Sequence, residues 1–244
     1  MNDILWDGQM DVGWTDLSDM IKEKTTKFTD YLSKAISLSF DTESQSLITE
    51  DSLERFFNIS YRLADSITDG FYYCIEDLDE NSNNASKLNA WILLGSLTES
   101  ALQIFLAFYI KDYKNSKWQL WENINSDIVK NTIVDTINDL VDDGYLNNEQ
   151  AKSIKEAVKD KLKEHTKEHP IQKIMLDELI KFYESIKLFS EDEIDYLKCI
   201  QSNRNGIHSF QSRNMGTWND LQYSVRFFCY LLEWIIFHLP DIDY

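Results

Sequence analysis

Arg204 and His208, four residues apart in "QSNRNGIHSF", are the pair whose types and spacing best suit acid-base work on a phosphodiester. A guanidinium donates a bidentate fork to non-bridging phosphate oxygens, and an imidazole titrating near neutrality moves protons while a ribose 2′-hydroxyl attacks. On a continuous helix, residues four apart lie about 40° apart around the axis, so the two side chains would share a face with Leu197 and Gln201. Asn205 would add an amide contact to the phosphate or position the arginine, and Gly206 would admit close backbone approach or bend the helix end. A plainer reading has His208 capping the helix C-terminus, with Gly206 and Ser209 marking the exit, and Arg204 paired with an acid. Glu99, the charged group in the middle of the most apolar helix, is the acid that pairing would use.

Other polar clusters offer less. His165 and His169 in "EHTKEHP" share a helical face, but lysines surround them and no cysteine or third histidine joins them, so no metal site is expected. His238 ends an apolar helix, where an imidazolium meets unsatisfied carbonyls. No Gly-rich phosphate loop, HExxH, nucleophile elbow or acidic calcium loop occurs, and no cofactor is expected. Cys74, Cys199 and Cys229 are odd in number, widely spaced and without CxxC pairing, which fits a reducing cytoplasm. The N-terminal "MNDILWDGQMDVGW" lacks the basic and apolar regions of a secretory signal, and a cytoplasmic location is expected.

The 24 basic and 42 acidic residues leave a formal charge of −18, which repels polyanions and argues against a protein that coats DNA or RNA. Seven lysines lie between Ala151 and Lys173, but Glu156, Asp160, Glu164 and Glu168 interleave with them at ion-pair spacing. That pattern describes a solvated helix face.

Elements that would position these residues are helical. Only two prolines and seven glycines interrupt the 244 residues, and apolar positions recur at three- and four-residue spacing, so the fold class is all-α, an antiparallel helical bundle. After a polar tail over 1–14, residues 15–244 read as one helical domain, with a helical insertion at 115–170 that includes the Trp118/Trp121 pair. The first helix is expected from Thr15, as N-cap, to Leu38, with Ile21, Phe28, Leu32 and Ile36 on its apolar side. A second spans Thr49 to Leu78 behind a capping box in "DSLE", and "DENSNNAS" is expected to break the chain.

A third, central helix covers about Ala85 to Tyr113 and is apolar on nearly every side. Its stretch Leu88 to Ile110 is long enough to span a bilayer, yet Glu99, Asn89, Ser96, Thr98, Ser100 and Gln103 mark it as a buried helix with no membrane partner. Pro170 is placed at the start of the next helix, with Ile171, Ile174, Met175, Leu179, Phe182 and Ile186 on its buried side. Ser190 caps a helix with three acids in its first turn, and a last helix runs from about Thr217 to His238, stopped by Pro240.

The longer string "IQSNRNGIHSFQSRNMGTWNDLQYSVRFFCYLLEW" resembles the C-terminal motif region of the HEPN superfamily, especially bacterial families with an RNAIHAF core. The likeness runs through Arg204, Asn205, Ile207, His208 and Phe210, then Arg213, Gly216 and Thr217. Upstream, "LLGSLTESAL" resembles the Gly-x-x-x-Glu helix of the same group through Gly95 and Glu99. The resemblance covers about a third of the chain. It implies a homodimer in which the motif helices face each other, and in active members a metal-independent endoribonuclease of toxin or anti-phage defence systems, with an antitoxin or defence partner protein. Arg204 would then clamp the phosphate, His208 act as acid and base, and Asn205 assist. Other members bind a nucleotide, an RNA end or a protein without cleaving anything. Active members leave a longer gap between arginine and histidine than the three residues separating Arg204 from His208 here.

Overall fold

A computed structural model describes residues 13–38, 42–75, 80–116, 126–165, 170–207 and 216–239 of the chain. Those residues are all-α, with no strand among them. The chain divides into two compact units, one formed by Met1–Phe108 with Ile174–Tyr244, the other by Tyr109–Lys173.

The larger unit contains helices α1 (Trp14–Leu38), α2 (Thr42–Leu47), α3 (Glu50–Ile75), α4 (Glu80–Phe108), α8 (Leu176–Ser185), α9 (Glu191–Arg204) and α10 (Trp218–His238). The smaller holds α5 (Ile110–Asn115), α6 (Ser126–Asp142) and α7 (Asn148–His165).

Helix α4 is the axis of the larger unit, packed against α2, α3, α8, α9 and α10. Ala90, Trp91, Leu94, Leu97, Ala101 and Leu102 on it are buried, as a helix apolar on most sides requires. Residues Asn84–Phe108 are long and apolar enough to cross a membrane, but 61% of their most apolar window is buried within the protein, as in a core helix. An aromatic group joins three helices: Phe105 lies 5.4 Å from Trp234, Trp234 4.7 Å from Phe189, and Phe189 5.5 Å from Tyr183, centroid to centroid. Offset and edge-on rings at such separations add about 0.5–1.5 kcal/mol per pair beyond burial.

Helix α1 presents Leu17, Ile21, Phe28 and Leu32, all fully buried, to α3 and α10. Ser18 Oγ donates to the Ala64 carbonyl of α3 at 3.1 Å, and Lys24 forms an ion pair with Glu233 of α10. Tyr183 Oη of α8 donates to the Leu102 carbonyl of α4 at 2.9 Å, satisfying a polar atom inside the core.

Several expected boundaries move. The first helix begins at Trp14, with Leu17 N–H donating to the Gly13 carbonyl, so Thr15 lies inside the helix and not at its cap. Thr49 and Ser52 exchange side-chain and backbone hydrogen bonds at the start of α3, in place of the box read in "DSLE". The polar run expected to break the chain is helical from Glu80 onward, because Asn and Ser lower helix propensity only modestly and the run contains neither Pro nor Gly. The central helix instead ends at Phe108, with Tyr109 at φ −106° and ψ 32° before α5.

Pro170 opens a short 3-10 turn over Ile171–Lys173, and α8 starts only at Leu176, where Met175 N–H donates to Glu178 Oε2 at 2.8 Å. Met175 and Ile186, expected on a buried side, flank that shorter helix and are 55% and 47% exposed. The Trp118/Trp121 pair, His169 and Pro240 lie outside the described residues.

Candidate functional site

Helix α9 delivers the arginine. Ser190 is its N-cap: Glu193 N–H donates to Ser190 Oγ, and the Glu193 carboxylate accepts from Ser190 N–H at 2.7 Å. Glu191, Asp192 and Glu193 line the positive end of the helix dipole, as the sequence indicates. The α-helix ends at Arg204, and Asn205–Ile207 form a 3-10 turn. The common face expected for Arg204 and His208 on a continuous helix is therefore interrupted, since a 3-10 turn advances about 120° per residue where an α-helix advances about 100°. His208 itself lies outside the described residues, as do Ser209, Phe210 and Arg213.

Arg204 is not a free cation. Its Nη1 donates to Glu99 Oε2 at 2.6 Å, with the two side chains only 22% and 18% exposed. The same carboxylate oxygen accepts from Leu176 N–H at 2.9 Å, at the first turn of α8. One oxygen thus joins α4, α8 and α9, with a charge-assisted bond on one side and the positive end of a helix dipole on the other. The plainer reading of Arg204, closed on Glu99, is the arrangement observed.

Gly95, one helical turn before Glu99, makes that closure sterically feasible. A Cβ built there would lie 2.5 Å from Arg204 Cδ and 2.9 Å from its Cβ and Cγ. The arginine stem lies directly across the bare backbone of α4. The Gly-x-x-x-Glu pattern therefore reads physically as a passage followed by an anchor: no side chain where the stem crosses, and a carboxylate where the guanidinium arrives.

Asn205 is half-buried and serves as the C-cap of α9, its N–H directed to the Gln201 and Asn203 carbonyls. The more engaged amide is Asn203, which sequence reasoning passed over. It is 8% exposed and its Nδ2 donates to the Cys199 carbonyl at 2.9 Å. A Cβ on Gly216 would lie 3.1 Å from Asn203 Oδ1, and Gly216 has φ +62°, a conformation that side chains disfavour.

Lys87 Nζ of α4 donates to the Gly216 carbonyl at 2.9 Å. Thr217 then caps α10, accepting from Asp220 N–H at 3.1 Å while Asp220 Oδ2 accepts from Thr217 N–H at 2.6 Å. The Gly-Thr step is a left-handed turn followed by a capping box. Neither Lys87 nor Asn203 stands in a pattern that announces the role; the signal in the sequence was confined to Gly216 and Thr217.

A cleft of about 520 Å³ opens on α9 and α10, lined by Asp192, Asp195, Asp220, Tyr196, Tyr223 and Cys199. Burial pushes the Cys199 thiol up, opposed by hydrogen bonds from Ser224 and Asn203 that favour the thiolate. Burial likewise raises the Tyr196 phenol, with Tyr223 and Asp192 adding to the shift. A pocket carrying three carboxylates repels phosphate oxygens. Among the described residues, no group of three or more His, Cys, Asp or Glu could hold a metal ion.

His238 closes α10 by donating from Nδ1 to the Trp234 carbonyl at 2.7 Å while stacking on the Trp234 ring. Comparison with family models, curated proteins and solved structures gave no match.

Proposed function

We propose that this chain is a HEPN-like helical module that works by binding a protein partner, with Arg204 serving the architecture of the motif and not RNA cleavage. The observation that carries this reading is the closed Arg204–Glu99 pair laid across Gly95. A guanidinium whose charge is matched at 2.6 Å, on an oxygen shared with a helix N-terminus, adds little net positive potential for a phosphodiester. Charge distribution agrees: the larger unit holds 13 basic against 30 acidic residues, a net −17, while the smaller, with 11 lysines against 12 acids, is near neutral. A partner with a basic surface would be steered toward that acidic bundle, and RNA would be steered away.

A second reading, a metal-independent endoribonuclease in a toxin or anti-phage defence setting, is favoured by one observation. Arg204 bonds Glu99 through one nitrogen, and its side chain remains 22% exposed where the α-helix gives way to the 3-10 turn. Purified protein incubated with mixed RNA in EDTA separates the two. Wild type, His208→Ala and Arg204→Ala are expected to leave RNA equally intact. Cleavage by wild type that His208→Ala abolishes would overturn the binding reading and establish the enzyme.

A further inference from the structure

The cleft on α9 and α10 has a make-up that the Arg204–Glu99 tie does not require. Asp192, Asp195, Tyr196 and Cys199 follow one another at i, i+3, i+4 and i+7 on α9, and Asp220, Tyr223 and Ser224 at i, i+3 and i+4 on α10. Each helix therefore turns a stripe of carboxylates and phenol rings to the same opening. Both rings are fixed by neighbours. Tyr196 stacks on Phe227, itself 1% exposed, at 5.2 Å with 13° between the planes, and Arg226 Cζ lies 5.5 Å from the centre of the Tyr223 ring.

Other acids of this region are taken: Glu193 by Ser190 and Tyr230, and Glu184 by Lys198. Among the described residues, neither Asp192 nor Asp195 has a hydrogen-bond or ion-pair partner, and Asp220 commits only Oδ2, to the Thr217 cap. Asp192 and Asp220 stand in first helical turns, where the dipole offsets part of their charge, so Asp195 is the least compensated carboxylate. The inner wall carries a second, independent signal. Ser224 is 1% exposed yet lines the cleft, and among the described residues its Oγ has no hydrogen-bond partner nearer than Cys199 Sγ at 3.9 Å. Sulfur is a weak acceptor at that length, and a buried hydroxyl is ordinarily satisfied, so this oxygen is open to a donor entering the cleft.

We propose that the cleft is where the protein partner seats an arginine side chain, its guanidinium lying against the tyrosine rings and forked on Asp195. The inference rests on the partner-binding reading above and adds the place and the side chain. Charge complementarity selects a cation, and the aromatic walls select among cations. A guanidinium is planar, weakly hydrated and stacks on rings, whereas an ammonium is a compact, strongly hydrated point charge. Its five N–H donors also match a site with several acceptors: the Asp195 and Asp192 carboxylates, the second oxygen of Asp220 and Ser224 Oγ. Asp192, Asp195 and Asp220 are exposed, so a side chain projecting from another protein reaches them without any helix moving.

Fluorescence anisotropy of the full chain with a labelled Gly-Arg repeat peptide, and with its Gly-Lys counterpart, tests the proposal. At low salt the arginine peptide is expected to bind wild type with a dissociation constant below about 1 mM, and about threefold more tightly than the lysine peptide. Asp192→Asn with Asp195→Asn is expected to weaken it about tenfold. Asp30→Asn with Glu54→Gln, which removes the same charge from exposed positions on α1 and α3, is expected to weaken it about twofold or less. Tyr223→Leu leaves the charge unchanged and is expected to reduce the preference for arginine over lysine. These variants exchange exposed side chains, so helical content by circular dichroism should be unchanged. Equal losses from the two charge pairs, an arginine preference untouched by Tyr223→Leu, or no binding by wild type overturns the cleft as the arginine site. Failure of the partner-binding reading itself has a different signature, RNA cleavage by wild type that His208→Ala abolishes.

Discussion

Replacing Gly95 by alanine tests the central contact most sharply, because local and tertiary effects have opposite signs. In an open helix interior, Gly→Ala stabilises by about 1 kcal/mol through reduced backbone entropy. Here the new methyl would stand 2.5 Å from Arg204 Cδ and 2.9 Å from Cβ and Cγ, well inside ordinary carbon contact at about 3.5–4.0 Å. Either α4 and α9 separate by most of an ångström, or the arginine leaves its path and gives up Glu99. Overpacking of this kind costs about 1–3 kcal/mol. Separating a partly buried pair adds to that, within the about 3–5 kcal/mol that loss of one partner costs a fully buried pair, discounted here because both side chains keep about a fifth of their surface.

The clash exceeds the helix gain, and a net loss of about 1–3 kcal/mol is expected, read as a lower urea midpoint with an unchanged slope. The decisive arm is the double variant. In an Arg204→Ala background two of the three short contacts vanish, so the penalty of Gly95→Ala should shrink by about 1–2 kcal/mol, a coupling within the range for residues in contact. If Gly95→Ala stabilises the wild type by the bare propensity gain, or if the two substitutions simply add, the arginine stem does not cross that glycine and the structural account of the motif fails.

Four other outcomes are expected. Burial pushes the Cys229 thiol up to about 12, so the folded state holds a proton that the unfolded chain releases near 9. Stability is therefore complete below about pH 9 and falls by about 1.4 kcal/mol per unit as pH rises from there toward 12, and Cys229→Ala should flatten that decline in alkaline urea titrations. Tyr230 is raised by burial and by donating to Glu193 Oε1 at 2.6 Å, so Tyr230→Phe should remove a further alkaline loss that begins near pH 10. Thr217→Ala and Ser190→Ala each remove the cap of a helix that carries the motif and should cost about 1 kcal/mol, with Thr→Ser at 217 recovering most of it in the same denaturation assay. Tyr183→Phe removes the bond that its Oη gives the Leu102 carbonyl, which keeps its own helical partner, and should cost about 0.5–1.5 kcal/mol by the same measure.

What could be read from the sequence was local. Ser190 with Glu193 and Thr217 with Asp220 lie three residues apart, so the caps of α9 and α10 follow from chain neighbours alone. The apolar character of α4 made it the central helix, and Glu99 stood out because no core of that kind leaves a carboxylate without a partner. Sequence reasoning faltered where the deciding contact was distant or weakly signalled. Leu176 N–H meets Glu99 across 77 residues, and Arg204 meets it across 105. Nothing near Gly95 announces that an arginine stem must cross it. Met175 and Ile186 fit a helical stripe beginning at Pro170, but the helix forms only at Leu176, which leaves them at its two edges.

The pairing of Arg204 with Glu99 also changes what the motif resemblance implies. Gly95, Glu99, Arg204, Gly216 and Thr217 each have a complete structural account: passage, anchor, tie, left-handed turn and cap. A sequence can keep all five for the packing of α4, α8, α9 and α10 whether or not anything is cleaved, so their presence together speaks to architecture and not to reaction. The chemistry of the motif then depends on His208 and on the charge around it. A histidine that served as acid and base for RNA would have to draw a polyanion onto a unit of net charge −17. Electrostatic steering there favours a basic protein surface, and binding to such a partner should weaken as salt is raised, with the slower association rate accounting for most of the loss.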